Sequence, residues 1–361
     1  MTLTRRQEVA QATIRIGIVG AGSIVRQRHI PGLRKIPGVE IVAVCNSTPE
    51  STARAAHELG IPRQFTNWRE LVEWDGIDAV LIGTQPYMHR EITCAALAAG
   101  KHVFCQARMA MDYADAKRMF ECAQRSDRTT MLCPPPHWMY GDRVMQRLLR
   151  EGFVGRPLNV VVRSYAPTYA DPNTPLHWRQ IGRISGLNTL DVGMCIEVIH
   201  RWLGYARRVT AQALTFYPER PTADGGRAPV DRPDTVSAIA TMENGALATF
   251  LWSGVARHAG KNFIEIYGSD GTLRYEIASP TDPGTIFGAK AGDTELREIP
   301  IPPEEARPWT VEEDFIRAIR EGRSGSPSFW DGLKYMEMTE AIFRSVELGK
   351  AIDLPFEQLQ P

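Results

Sequence analysis

From Thr13 to Arg150 the chain alternates short, continuously apolar runs with stretches whose apolar residues recur at helical spacing. The runs fall at residues 14–19, 41–45, 79–83, 103–105 and 130–133, and amphipathic helices are expected at 52–59, 88–99 and 114–124. Gly60, Gly76 and Gly100 stand at the helix-to-strand turns, where left-handed caps are common. Strands that are apolar throughout, rather than at every second position, belong to a parallel sheet covered on both faces. A doubly wound first domain over residues 13–150 is therefore expected.

Beyond Gly155 the texture changes. Residues 157–165, 209–217, 235–242, 246–252, 263–267 and 272–276 read as strands, and Glu243-Asn244-Gly245 and Ser269-Asp270-Gly271 are tight hairpin signals. One helix at about 189–203 interrupts them, a final one at about 332–348 follows, and the Pro- and Gly-rich stretch 218–233 reads as a loop. Residues 151–361 thus predict an α/β domain with a large open, mainly antiparallel sheet, and the final helix is free to pack back on the first domain. Such a sheet has more apolar face than its helices can cover, so a homodimer or homotetramer packed through it is expected.

Charge narrows the partners. Of 361 residues, 42 are Lys or Arg and 42 are Asp or Glu, which leaves no net basic footprint for nucleic acid. No run approaches the roughly 18 apolar residues of a membrane span. Polar Gln7, Glu8 and Gln11 follow Arg5-Arg6 where an export signal would be apolar. Six single cysteines, at 45, 94, 105, 122, 133 and 195, give neither a zinc spacing nor a disulfide framework. They read as buried thiols of a cytoplasmic protein that holds no metal.

Gly20-Ala21-Gly22-Ser23-Ile24-Val25 directly follows the first strand and opens a helix. Gly20 permits the tight turn, and Gly22 lets a pyrophosphate approach the backbone at the helix N-terminus, with Ser23 and Ile24 beside it. The second strand ends at Asn46-Ser47-Thr48, where an acid would normally accept the adenosine ribose hydroxyls. Asn46 can bond a ribose hydroxyl without repelling a 2′-phosphate, and Ser47 can bond either, so NAD and NADP both remain open.

The chain resembles the glucose–fructose oxidoreductase, inositol dehydrogenase and rhizopine-catabolism group, Gfo/Idh/MocA. The likeness rests on this loop, on Asp78-Ala79-Val80 with Thr84 and His89-Arg90-Glu91, and on Ala95–Val103. It extends through Trp178-Arg179, Gly186 and Leu190-Asp191-Val192-Gly193 to Asp331-Gly332-Leu333, Glu340 and Asp353-Leu354-Pro355. The resemblance implies an N-terminal Rossmann domain and hydride transfer between NAD or NADP and a sugar or other cyclic alcohol. It further places Thr84, His89 and Gln106 at the cofactor, although His89, at the start of its helix, also reads as structural.

Two departures stand out. Where the family reads Cys-Glu-Lys-Pro, with the Lys transferring the proton, this chain reads Cys105-Gln106-Ala107-Arg108. Where it places Asp and, four residues on, His, this chain has Asp191 and Cys195. Arg108 stays protonated, so it can clamp an oxyanion or carboxylate but cannot act as a base. Asp191 suits the substrate side, although Asn188 three residues earlier also gives the look of a helix cap. Cys195 reads first as a small buried hydrophobe and second as a reactive thiol. His177, beside Trp178, is a candidate proton carrier, with His137 and Tyr140 weaker ones at the sheet's C-terminal edge. His200 falls about 180° around the helix from Asp191.

The reading that follows is an NAD(P)-dependent oxidoreductase of a sugar, glycoside or related cyclic hydroxyl compound, with Asp191, Arg108, His177 and Cys195 as its catalytic candidates. The alternatives are a redox-neutral NAD-dependent glycosidase or lyase, and a non-catalytic nucleotide-binding protein.

Overall fold

A computed structural model describes residues 12–136, 138–279 and 282–360; Arg5, Arg6 and His137 lie outside the described residues. The first half runs β1 (Ile14–Val19), a π-helical turn (Val25–His29) continuing into α1 (Ile30–Leu33), β2 (Val39–Cys45), α2 (Pro49–Leu59), β3 (Arg63–Gln64) and α3 (Trp68–Glu73). It continues with β4 (Ala79–Ile82), α4 (Pro86–Ala98), β5 (His102–Cys105), α5 (Tyr113–Gln124), β6 (Thr130–Leu132) and α6 (Asp142–Arg150). Helices α2 and α4 begin earlier than their apolar periodicity predicts because Pro49 and Pro86 occupy their first turns, where a missing N–H costs nothing. All six strands are parallel, in the order β3-β2-β1-β4-β5-β6, which is the Rossmann arrangement.

The second half runs β7 (Pro157–Tyr165), α7 (Gly182–Ser185), α8 (Val192–Leu203), β8 (Ala206–Leu214), β9 (Glu219–Pro221), β10 (Arg227–Pro229), β11 (Thr235–Met242) and β12 (Leu247–Ser253). Then come β13 (Asn262–Gly268), β14 (Gly271–Ile277), β15 (Thr285–Lys290), β16 (Arg297–Ile299), α9 (Val311–Glu321), α10 (Phe329–Leu348) and β17 (Ile352–Asp353). Nine strands form one sheet, β16-β15-β14-β13-β7-β12-β11-β8-β17, antiparallel except where β7 meets β12. Both hairpin signals join adjacent strands, β11 to β12 and β13 to β14. The stretch 218–233 is not wholly a loop, since β9 and β10 pair within it. Helix α9 was not expected, although Val311, Phe315 and Ile316 bury one of its faces.

The apolar strands of the first sheet split their side chains between two cores. Ile16, Ile18, Leu81 and Phe104 face α1 and α9. Val19, Val80, Ile82 and Val103 join a core that continues through α8 and α10 to Phe250 and Trp252 of the second sheet. Burying a side chain such as Phe250 completely contributes about 1.5–3 kcal/mol. Helix α10 contacts α5 and β6 as well as α8 and β8, so it ties the two sheets together. Along β11 and β12 buried positions alternate with more exposed ones, and the face away from this core leaves Ile239 and Leu247 exposed.

One cysteine expectation is corrected. Cys94 and Cys122 form a disulfide with Cα atoms 5.5 Å apart, because the sheet sets α4 beside α5 with these half-buried side chains facing. Cys45, Cys105, Cys133 and Cys195 are buried free thiols. Among the described residues no helix is long and apolar enough to cross a membrane.

Candidate active site

The cofactor side is built by the ends of β1, β2 and β4. Gly20 has φ +91°, and a Cβ there would stand 2.7 Å from the Gly83 carbonyl carbon and the Thr84 nitrogen. Only glycine lets these two strand ends approach so closely. A Cβ at Gly22 would meet nothing nearer than Gly83 O at 3.8 Å, and Gly22, Ser23 and Ile24 are exposed. The helix closes its first turn with Arg26 N–H donating to Gly22 O, so the N–H groups of Gly22, Ser23 and Ile24 lie ahead of the helical ladder. Thr84 Oγ1 is buried without a hydrogen-bond partner. An open glycine cradle, free helix N-terminal donors and an orphaned hydroxyl fit a dinucleotide pyrophosphate.

Asn46 sits at the end of β2 as expected, yet its amide is already engaged. Its Oδ1 accepts from Ala21 N–H at 2.8 Å and its Nδ2 donates to Ser51 O at 3.1 Å, which fastens the glycine loop to α2. Ser47 is exposed, and Thr48 caps α2 through Ser51 N–H. His89 is 1% exposed, and its two ring nitrogens face Thr84 O and Met109 O, each at 3.0 Å. It is sealed from a cofactor and instead holds the Thr84 loop to the loop that carries Arg108. Gln106 is buried against His29, whose other ring nitrogen meets Glu312 of α9. Trp309 Nε1 bonds the same Glu312, so Gln106 is held from behind by the second half of the chain.

The substrate side comes from two loops locked together. Asn188 does not cap α8: its Nδ2 donates to Ala110 O at 2.7 Å and to Ser185 O at 2.6 Å. Leu187 N–H adds a bond to Met111 O, and a side chain at Gly186 would overlap that same carbonyl. These links bring Arg108 to Asp191. Arg108 Nη2 lies 3.8 Å from Asp191 Oδ1, and Asp191 Oδ2 accepts from Ser164 Oγ on β7 at 2.9 Å. Asp191 stands at the N-cap of α8 without making a capping bond, so its carboxylate remains available to the site. Arg108 is only 6% exposed and its Nε has no partner.

Asp191 opens onto a cleft of about 370 Å³ against the second sheet, lined also by Ser164, Tyr165, Trp138, Asn262 and His258. That volume is within the ordinary range for a small-molecule site. Cys195 lies one turn below Asp191 but is 2% exposed, and burial pushes its thiol up to about 12, which leaves it inert. His177 is not brought to the pair. Its Nδ1 accepts from Arg179 N–H, closing the short turn 178–180, and burial with the Arg179 charge lowers its pKa. His200 is buried on the far side of α8 against Tyr205 and accepts from Ala206 N–H. Tyr140 is exposed at the α6 approach and does not line the cleft.

Three residues absent from the sequence expectations join the site. Arg179 is within electrostatic reach of Arg108, Tyr169 and Asp191, and burial together with the Arg108 charge lowers its pKa to about 10. Tyr169 packs against Gly254 and its N–H donates to Gly254 O; burial raises its phenol, while Arg179, Arg108 and Arg220 pull the other way. His258 lines the cleft from the loop after β12. The Trp178-Arg179 signature marked the neighbourhood of the first, but nothing local distinguished the other two.

Known proteins resemble this chain over most of its length. Residues 14–133 match the family model described as the oxidoreductase family, NAD-binding Rossmann fold, and residues 143–274 match the GFO/IDH/MocA C-terminal domain. Levoglucosan dehydrogenase of Pseudarthrobacter phenanthrenivorans is 28% identical over 89% of this chain and 90% of its own. Myo-inositol 2-dehydrogenase of Thermotoga maritima is 25% identical over 94% of this chain and 98% of its own. The solved levoglucosan dehydrogenase complex with NADH and levoglucosan superposes with a TM-score of 0.84 at 25% identity, over 95% of this chain and all of the other.

Proposed function

The chain belongs to the Gfo/Idh/MocA family of NAD-binding oxidoreductases, and we propose that it oxidises or reduces a sugar, glycoside or related cyclic hydroxyl compound with Arg108 and Asp191 in place of the usual lysine. The observation that carries this reading is the Arg108–Asp191 pair, whose carboxylate lines the cleft and whose arginine loop is held by Asn188 and tied to Thr84 by His89.

Gly20, Gly22, Ser23, Ile24 and Thr84 would hold the dinucleotide, with Gln106 supporting its nicotinamide end. That cofactor supplies a site that accepts or returns a hydride. The protein's task is the hydroxyl proton. Arg108, a nearly dry guanidinium, stabilises the developing alkoxide oxygen. Asp191, oriented by Ser164, holds the proton as the carbonyl forms and passes it toward the cleft. Cys195 packs beneath Asp191 and takes no proton. We also assign the exposed face around Ile239 and Leu247 to contact between copies of this chain.

The test is a screen of sugars, glycosides and cyclic diols that follows reduced cofactor and substrate loss together. Stoichiometric NADH supports the oxidoreductase. Substrate loss without net NADH indicates a redox-neutral reaction and refutes net oxidation.

A further inference from the structure

The large sheet holds one parallel pair. Strands β7 and β12 run side by side with Tyr165 level with Ser253, so both leave the sheet at the same edge. Two chains that turn away together at one edge leave a crevice between the connections that follow them. Here those connections are residues 166–176 and 254–261. The first supplies Ala166 and Pro167 to the cleft that Asp191 lines, and the second supplies Ala256, His258 and Gly260.

Neither connection contains a helix or a strand, so their shape is set by side chains. Arg220 of β9 does this for the first. It is fully buried, its Nη2 donates to Tyr169 O at 2.6 Å, and its Nη1 donates to Asp171 O at 2.8 Å and Thr174 O at 3.3 Å. Its Nε has no partner, so every hydrogen bond the guanidinium makes among the described residues goes to this loop's main chain. Buried carbonyls must be matched, and a guanidinium, with five N–H donors in a rigid fork, can serve three from one position.

The first connection then fixes the second. Ala166 N–H donates to Ser253 O at 2.8 Å and Tyr169 N–H to Gly254 O at 2.7 Å. Arg257 Nη2 returns a bond to Ala170 O at 2.8 Å. A Cβ at Gly254 would stand 2.5 Å from Tyr169 Cδ2 and 3.0 Å from Leu190 Cδ2, so the junction also abuts the residue before Asp191.

Resting on the oxidoreductase reading above, we propose that Arg220 is a positioning residue for the substrate: by holding residues 169–174 it sets the spacing of the two cleft-lining connections. It does not itself line the cleft. Asp191 is oriented separately, by Ser164 and the Asn188 link, so loss of Arg220 weakens substrate binding and spares the chemistry.

The test compares Arg220→Met, Arg220→Lys and Arg257→Ala with the wild type. Each is given NAD with D-glucose, methyl β-D-glucoside or myo-inositol, and is measured by NADH calorimetry and amide hydrogen exchange. For the compound the wild type oxidises best, Arg220→Met should raise KM by about tenfold or more, with kcat and NADH Kd within about threefold. Arg220→Lys should recover part of that KM, and Arg257→Ala, which removes the Ala170 bond alone, should raise it about threefold or more. The Ala166 and Tyr169 amides should exchange at least about tenfold faster in Arg220→Met, while those of β11 stay protected. An unchanged KM, a kcat or NADH affinity that falls along with it, or equally faster exchange in β11 overturns the inference, and NADH formation by the wild type keeps the oxidoreductase reading. If Arg220→Met does not fold, wild-type KM values in both other variants overturn it, and raised values in both support it. A wild type that binds dinucleotide but oxidises none of the three compounds fails both together.

Discussion

Asn188 gives the sharpest structural prediction, because it joins the Arg108 loop to the turn that carries Asp191. The residue is 4% exposed, and its Nδ2 serves both Ala110 O and Ser185 O. Asn188→Ala strips a donor from two buried carbonyls, each costing about 1–3 kcal/mol when left unmatched. Part of that returns, since Asn188 Oδ1 is itself buried without a partner and disappears with the side chain. A net loss of about 2 kcal/mol follows. At about 2–4 °C per kcal/mol for a chain of this order of size, Tm should fall by roughly 4–8 °C. Asn188→Asp should be worse, about 3–5 kcal/mol, because it buries an uncompensated charge against two carbonyl oxygens. The Leu187 N–H bond to Met111 O survives in both variants, so the fold should persist with the loops loosened. Misplacing Arg108 by about 1 Å should then lower kcat by as much as about 100-fold. Thermal melting, kcat and dinucleotide Kd measured on the same preparations test this. A variant with wild-type Tm and wild-type kcat would refute the claim that this link positions the pair.

Three further outcomes follow from the same geometry. Asn46→Asp keeps the acceptor for Ala21 N–H and adds a charge at the ribose, so calorimetry should show the NAD:NADP affinity ratio rising; an unchanged ratio places Asn46 away from the ribose. Cys195→Ala should leave kcat within about threefold, and Cys195 should resist iodoacetamide at neutral pH because its pKa of about 12 leaves almost no thiolate; rapid alkylation with loss of activity would contradict that burial. Ile239→Arg, at the exposed sheet face, should shift the light-scattering mass from an oligomer toward the monomer, and a wild-type monomer at micromolar concentration would remove the assigned contact.

The first half of the chain was legible because its signals are local. Buried parallel strands are apolar throughout, and prolines and glycines mark where helices begin and end. In the second half, β7 and β11 fall at the residues their alternation predicts. Helix α9 lies in a stretch for which no element was expected, although Val311, Phe315 and Ile316 follow helical spacing. The site was half legible. Position in the glycine loop pointed to Gly20 and Gly22, and family spacing pointed to Arg108 and Asp191. Arg108 and Asp191 meet because the 185–191 turn folds onto the 107–111 loop through Asn188 and Gly186, a contact that no periodicity encodes. His177 looked chemical from its neighbours, but its turn spends the ring nitrogen locally. The disulfide was invisible for the same reason, as Cys94 and Cys122 meet only once the sheet sets their helices side by side.

The central claim is that Asp191, steadied by Arg108, carries the proton chemistry here without a lysine. Turnover and dinucleotide Kd of Asp191→Asn, measured beside His200→Ala as a control outside the site, test it most directly. The account predicts a fall in kcat of about 100-fold or more for Asp191→Asn with unchanged dinucleotide affinity, and a His200→Ala protein that turns over normally while folded. Near-normal kcat in Asp191→Asn would contradict it and move the proton to another group at the cleft, with His258 the first to examine.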